Sequence, residues 1–578
     1  MATGRPIDIP WPLSSFPGAM PQESAGRLIN CYAEPLGQTQ AGTGGRATKE
    51  PQVVWRGCPG FTPFALTGQT GYRGGLIVNN LSYECYKDNA STVDAAGAIA
   101  SLGNFPGTKK VSIARNQAAS PDVVAVDIDN GAFTLSGGGA PTAYNGGGNL
   151  PQPNGVCYHH GYFHFSIGDN RIFASGINAL TQNANTFTTC NAVASAALLR
   201  PIAYADLVLA FTTGSIEIYQ DTAQPTPDYP YTRLQVLNVG LLEANAIAGF
   251  EDTFADLLWV AQDFGVYRMP PNSIGYDKVS PPDLDRLIEA QHKLGNTLEA
   301  YCYIVQGKKF WGLSCPDWTW EVNLSTLGKG VGWHERSSIN AAGNFKRWRA
   351  SGGHPAFGKW LMGDTMSEYL HFVDDTMNDE NGAVLLMRME SGSVSDFPNR
   401  LRVPRADFNF VTGVGQPTRT LTMNVIDAVS GTGNQIRLMV LSTARLVSGD
   451  NATIASILGT VEANGTWPLQ VINGQNVELV GSAFVHAYVS GGTLTDLTTP
   501  PNVKAPTVEL TWSDDDGVLW RNPRQQPLGE IAKARTTRIS VKHTGMSGPQ
   551  ARRWRLSISD PVYRGFLGAT QSTDPKDF

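Results

Sequence analysis

The chain has 578 residues, with 44 Lys+Arg against 50 Asp+Glu for a formal net charge of −6; only 16% of residues are charged, and 62 Gly and 36 Pro accompany 41% apolar residues. Few charges with many Gly and Pro describe short strands joined by tight turns. The acidic balance is a poor footprint for a dedicated nucleic-acid binder, which would be basic, and no run of about 18 apolar residues is present to cross a membrane as a helix.

At roughly 100–200 residues per domain, the length fits three or four units, or one repetitive β domain with an insertion. The opening stretch from Met1 to Met20 lacks the basic and apolar regions of a signal peptide, so no secretory leader is expected. The seven cysteines (Cys31, Cys58, Cys85, Cys157, Cys190, Cys302 and Cys315) are widely spaced, with no CxxC pair. This spacing supports neither a zinc ribbon nor a thioredoxin-like site, and it fits buried free thiols in a reducing cytoplasm.

Residues 1–60 read as an extended segment leading into a series of hairpins. Strand runs flank Asn79-Asn80, Asp129-Asn130-Gly131, Gly168-Asp169-Asn170, Thr212-Thr213-Gly214, Gln262-Asp263-Phe264 and Gln306-Gly307-Lys308. Asn-Gly and its relatives favour the positive φ of tight hairpin turns. The best helix candidate is Pro282 to Ala290, with Asp283 as a possible cap and Leu284, Leu287 and Ile288 on one face; Ala-rich pieces at 94–102 and 192–199 are weaker. The hairpins recur roughly every 40–50 residues, the period of propeller blades. The expected fold is all-β: a β-propeller of about six blades over 61–380, with an array of β-sandwiches as the alternative.

Beyond the propeller, residues 381–429 read as strands returning to the hub. Residues 430–495 read as an inserted small β-barrel-like domain of five or six short strands. A core of that size is modest, so the insert is expected to lean on a host domain or a neighbouring subunit. Residues 496–578 read as a C-terminal antiparallel β region carrying an Asp-box hairpin and basic strands.

That Asp-box is Ser513-Asp514-Asp515-Asp516-Gly517-Val518-Leu519-Trp520, which fits SxDxGxxW through Ser513, Asp515, Gly517 and Trp520. A carboxylate accepting turn amides, a Gly at positive φ and a packed Trp make a structural hairpin. Three adjacent carboxylates also suggest calcium, but an EF-hand loop closes on a distant Glu, and Pro523 and Arg524 intervene. Asp-boxes occur in sialidases, and Tyr267-Arg268 resembles their arginine motif. Glycoside hydrolysis, however, requires two placed carboxylates, and nothing pairs Glu217, Asp263 or Glu321. His159-His160 with His164 could offer metal ligands, but their aromatic surroundings favour a blade core. The glycine tracts 137–139 and 146–148 lack the Lys and helix of a phosphate loop. No catalytic residue, metal or cofactor is assigned.

Charge is uneven. Residues 521–564 hold ten Lys/Arg against Glu530 and Asp560, a balance of +8 that leaves about −14 on the rest. Arg552, Arg553 and Arg555 surround Trp554, and are expected to present guanidinium groups to an acidic partner surface.

Taken in order, the segments GRLINCYAE (26–34), RGCPGF (56–61), GYRG (71–74), LVLAFTTGSIEIYQ (207–220), WTWEVNL (318–324), GWHER (332–336), WSDDDG (512–517), RRWR (552–555) and SDP (559–561) resemble the packaged-DNA stabilisation proteins of short-tailed bacteriophages. These form the tail hub, or nozzle. The insert resembles a small β unit of phage tail proteins through GTVEANGTW and GSAFVHAYVSGG. The resemblance implies a non-enzymatic virion structural protein of the tail, assembled in the host cytoplasm. It further implies a homohexameric ring below the portal and its adaptor, touching tail fibre, spike or needle proteins. Such a ring would extend the DNA channel, retain packaged double-stranded DNA without sequence-specific binding, and permit ejection. The alternatives are a glycan- or receptor-binding propeller of the tail and, more remotely, an Asp-box glycosidase.

Overall fold

The chain repeatedly turns back on itself through two-residue loops at positive φ, whose twist matches that of the strands they join. His160-Gly161 (φ 43° and 94°), Gln306-Gly307 (50° and 70°) and Phe357-Gly358 (53° and 69°) are three such loops. The computed structural model describes residues 5–36, 53–193, 196–224, 228–327, 332–340, 342–396, 399–412, 414, 421–496, 506–531, 533, 536–548 and 550–576. It divides into two compact units: Ala65–Ser325 with Lys346–Val373, and Met1–Phe64 with Thr326–Phe345 and Asp374–Phe578.

Among its described residues, the first unit holds seven successive sheets. Five are four-stranded, at 72–104, 111–144, 153–189, 198–237 and 247–278; two are formed within the unit by three strands each, at 299–323 and 350–373. Within each sheet neighbouring strands are antiparallel and consecutive in sequence. The first strands of blades 1 to 4 pack in succession, as do those of blades 5 to 7, and blade 7 returns to blade 1. This is a seven-bladed β-propeller. The seventh blade, which sequence spacing does not reveal, turns at Phe357-Gly358, where an aromatic residue replaces the expected Asn or Asp.

Blade stacking follows from strand periodicity. Along Val123–Asp127, Val123 and Ala125 enter the core shared with blade 1, while Val124 and Val126 enter the core shared with blade 3. Successive side chains point to opposite faces, so a strand buried on both must be apolar throughout. Each fully buried Val contributes about 1.5–3 kcal/mol.

The α-helix is Pro282–Lys293, three residues longer than the sequence suggests, and it is capped by Pro281 without a side-chain bond. Asp283 therefore lies inside the first turn, where it pairs with Arg286 and suits the positive end of the helix. Among the described residues neither Ala-rich piece is helical: Ile99–Asn104 and Leu198–Tyr204 are strands, because blade packing overrides local propensity.

In the second unit two sheets share one core. The first has the order Cys31–Pro35, Val53–Gly57, Gly565–Lys576, Arg400–Val411, Thr536–Lys542, with Arg5–Asp8 also paired to Gly565–Lys576. The second includes Arg27–Ile29, Met387–Glu390, Arg553–Ile558, Thr507–Ser513 and Arg524–Pro527. Trp11, Trp55, Phe408, Phe410, Trp554 and Phe566 fill the space between them.

The same unit contains a closed six-stranded barrel, ordered Leu421–Ser430, Ile436–Val440, Asn476–Leu479, Gly465–Val471, Asn451–Leu458, Ser490–Asp496. Ile436, Leu438, Ile454, Val477 and Leu494 are among its core residues. Leu421–Ser430 pairs with both Ile436–Val440 and Ser490–Asp496, so it closes the barrel, although the sequence reading groups part of it with the preceding hub strands. The stretches 446–450 and 483–489 of the insert are turn, bend or irregular. All seven cysteines are buried free thiols. Among the described residues, no helix is long and apolar enough to cross a membrane.

Candidate functional site

Buried carboxylates tie the propeller together. Arg73, on the first strand of blade 1, is 1% exposed and uses all five of its N–H donors: on the carbonyls of Lys87, Phe105, Lys109 and Pro106, and on Asp127 Oδ2 in blade 2 at 2.7 Å. The other oxygen of Asp127 accepts the backbone amides of Asp129 and Asn130 at 3.0 Å, fixing the blade 2 turn. Glu299, on blade 6, accepts Lys110 Nζ at 2.8 Å, Ser351 Oγ at 2.8 Å and the Gly352 amide. Burial opposes its charge, but Lys110 and Arg347 outweigh it and hold the carboxyl down to about 2. Burial in turn pulls the Lys110 amine below its usual range.

The innermost strands line a central cavity of about 600 Å³ that includes Arg73, Lys110, Arg200, Glu251 and Glu299. Burial raises the Glu251 carboxyl despite bonds from the Gly249 amide and Cys302 thiol, and lowers the guanidinium of Arg200. The lining thus mixes both signs, with its closest charges internally paired.

In the second unit the turn divides the run Asp514-Asp515-Asp516. Ser513 Oγ donates to Asp515 Oδ1 (2.6 Å) and accepts the Gly517 amide (2.8 Å), while Asp515 Oδ1 also accepts the Leu519 amide (2.9 Å). Gly517 sits at φ 93°. Burial opposes the charge on Asp515, yet the Leu519 amide and Ser513 hydroxyl hold it below the usual carboxylate range. Trp520 is half-buried, with the Arg555 guanidinium 3.7 Å from its ring centre.

The two outer aspartates serve the arginine strand. Arg552 Nε donates to Asp514 Oδ1 at 2.9 Å and Nη1 to Thr544 Oγ1 at 2.6 Å; Arg553 pairs with Asp516 and donates to Ser393 Oγ at 3.1 Å. Both arginines are buried, at 0% and 2% exposure. Their guanidinium groups are thus committed to carboxylates of their own chain, which the sequence reading directed at a partner. Arg555 pairs with Glu390 at 2.9 Å and keeps 22% side-chain exposure.

The residues weighed for glycoside hydrolysis are not gathered. Arg268 forms a bidentate pair with Asp256, and Tyr267 donates to Asp263. Glu217 accepts Tyr219 and Arg233 within blade 4; Glu321 accepts Tyr301 and Tyr303 within blade 6. None of Arg268, Glu217, Asp263 and Glu321 lines the central cavity. His164 is buried against Tyr229, with burial and the neighbouring His159 and His160 lowering it to about 3.

Seven successive antiparallel sheets whose inner strands pack from one to the next, the last returning to the first, define the β-propeller class. The chain belongs to the phage stabilisation family described as Bacteriophage P22 Gp10, beta-propeller, whose model matches residues 46–378. The match spans all seven blades and leaves the barrel, the Asp-box and the arginine strand outside it. No curated protein sequence matches the chain. Among solved structures, a streptogramin B lyase is 13% identical over 54% of this chain and 97% of its own, with a TM-score of 0.36. The WD40 β-propeller domain of Doa1 is 6% identical over 54% and 96%, with a TM-score of 0.34. Likenesses this distant carry no functional reading.

Proposed function

We propose that the protein is a tail hub, or nozzle, subunit of a short-tailed bacteriophage virion, without catalytic activity. Six copies form a ring below the portal and its adaptor, extend the DNA channel, retain the packaged genome and let it pass on ejection. Family membership across the whole propeller is the observation that carries this reading. Charge agrees with it: six copies at −6 amount to −36, and a conduit for DNA should repel phosphate rather than bind it. The adaptor ring and the tail fibre, spike or needle proteins are the partners, and assembly takes place in the host cytoplasm. Arg555, with its remaining exposure, is the candidate contact of the arginine strand.

Negative-stain imaging of virions carrying an affinity label on this chain tests the proposal. The expected result is a sixfold ring on the tail axis directly below the adaptor. Label found only at peripheral fibres, together with binding to host glycans, would establish the receptor-binding alternative instead. Turnover of a sialoside or cell-wall glycan panel would refute the non-enzymatic assignment.

A further inference from the structure

Blades 3 and 4 bring two hairpin corners together. The first corner is the loop His160-Gly161 with His159 at the end of its strand; the second is Ala205-Asp206, joining Leu198–Tyr204 to Leu207–Thr212. We propose that His159, His160 and Asp206 form a binding site for one divalent transition cation of the zinc class. One ligand atom from each of the three lies within 4.8 Å of the other two. His160 Nε2 is 2.8 Å from Asp206 Oδ1, and the two imidazole rings stack with centroids 3.9 Å apart.

The orientation of His159 distinguishes this site from a chance surface cluster. Its residue is 7% exposed, and its Nε2 is buried without a hydrogen bond; the Ala205 carbonyl is nearby but outside bonding geometry. Its Nδ1 lies 2.8 Å from the Tyr231 hydroxyl, and that hydroxyl donates to the His159 carbonyl at 3.2 Å. With the Tyr231 proton on the carbonyl, Nδ1–H donates to the phenol oxygen and Nε2 carries the free lone pair. The opposite tautomer would leave a buried Nε2–H beside the Ala205 carbonyl without a well-formed hydrogen bond. An imidazole whose second nitrogen is fixed by an outer partner is the usual arrangement of a metal-ligating histidine.

His160 and Asp206 are 46% and 79% exposed, which gives a cation access from solution. Asp221, 3.4 Å from His160 Nδ1, is the outer partner of the second imidazole. Two imidazoles and one carboxylate suit zinc and its neighbours rather than calcium or magnesium, and leave a fourth position for water. The cation would clamp blade 3 to blade 4.

The test uses the full chain, freed of metal by dialysis against a chelator and titrated with Co²⁺ or Zn²⁺ alone. A visible Co²⁺ absorption saturating at one equivalent, displaced by Zn²⁺, is expected, with Zn²⁺ raising the melting temperature. Asp206→Asn, on an exposed turn, should weaken binding about tenfold or more while melting as wild type in chelator. Tyr231→Phe, which removes the tautomer lock without removing a ligand, should weaken it about 10–100-fold. His159→Gln should abolish it, and His543→Gln, elsewhere on the surface, should change nothing. Absence of a saturable Co²⁺ signal, or a signal unchanged in Asp206→Asn, overturns the proposal.

Discussion

Asp127 in the propeller and Asp515 in the Asp-box perform the same local task with different reach. Each carboxylate accepts amides of its own turn. Asp127 then spends its second oxygen on Arg73 of the neighbouring blade, where the paired side chains are 0% and 1% exposed. Asp515 stays within its hairpin, and its neighbours Asp514 and Asp516 reach Arg552 and Arg553. A turn carboxylate that also crosses between blades couples two repeats, so its loss should propagate; one confined to its hairpin should fail locally. Glu299, which joins blade 6 to Lys110 and to blade 7, belongs with Asp127.

The sharpest way to break this comparison is Asp127→Ala. It strands the Arg73 guanidinium in the core, and should cost about 3–5 kcal/mol in urea unfolding. A loss no larger than that of Asp515→Ala would show that the inter-blade pair adds nothing.

Acid titration comes next. Glu299 is depressed from 4.5 to about 2 in the folded protein, so its contribution is fully present above pH 4.5 and is lost as pH falls towards 2. Other carboxylates held low in the folded protein, Asp515 and Asp407 among them, titrate in the same window, so the Glu299 share is read as the difference between wild type and Glu299→Gln. The window is worth on the order of 3 kcal/mol, and Glu299→Gln should flatten the corresponding slope of stability against pH.

Asp515→Ala should cost about 1–3 kcal/mol, the loss of a turn acceptor. Neither calcium nor a chelator should alter wild-type stability through this hairpin; a melting temperature that tracked calcium and was lost in the variant would make the turn a metal loop. The smallest effect is expected from Arg555→Glu, at roughly 1 kcal/mol or less for a partly exposed pair. If Arg555 contacts a partner ring, the same variant should slow attachment to capsids at low salt, with the defect shrinking as salt rises.

What was legible in the sequence was local. Turn pairs such as Asn79-Asn80 and Asp129-Asn130-Gly131 mark hairpins because the chemistry that bends the chain is carried by the residues at the bend. Phe357-Gly358 makes a two-residue loop at positive φ without the usual residues, and the seventh blade stays hidden behind it. The Asp-box motif gives the Ser513–Asp515 contact because its partners lie within a few residues. Which carboxylate answers which arginine was not legible. Asp514 meets Arg552 across 38 positions, and Arg73 meets Asp127 across 54. The signal available was alternation: three consecutive aspartates cannot all face one turn, so the outer two needed cations elsewhere, and Arg521 together with the basic strand at 552–555 supplies them. The metal-like corner at His159 was obscured for a related reason, since Asp206 and Tyr231 arrive from the next blade.

One pairing described above also sets a schedule for the ribosome. Arg5 lies opposite Thr573 and Trp55 opposite Phe566, so the sheet that begins with the first strands is finished by nearly the last. At about 5–20 residues per second, synthesis separates those partners by roughly 30–100 s. During that interval the propeller can be translated and packed, while Arg5–Asp8 and the open edge of Val53–Gly57 wait for Gly565–Lys576. Newly made chains should therefore acquire protease-resistant blades before resistance at their N-terminal strands, and ribosome stalling ahead of residue 565 should leave those strands open to whatever holds unpaired β edges in the cell.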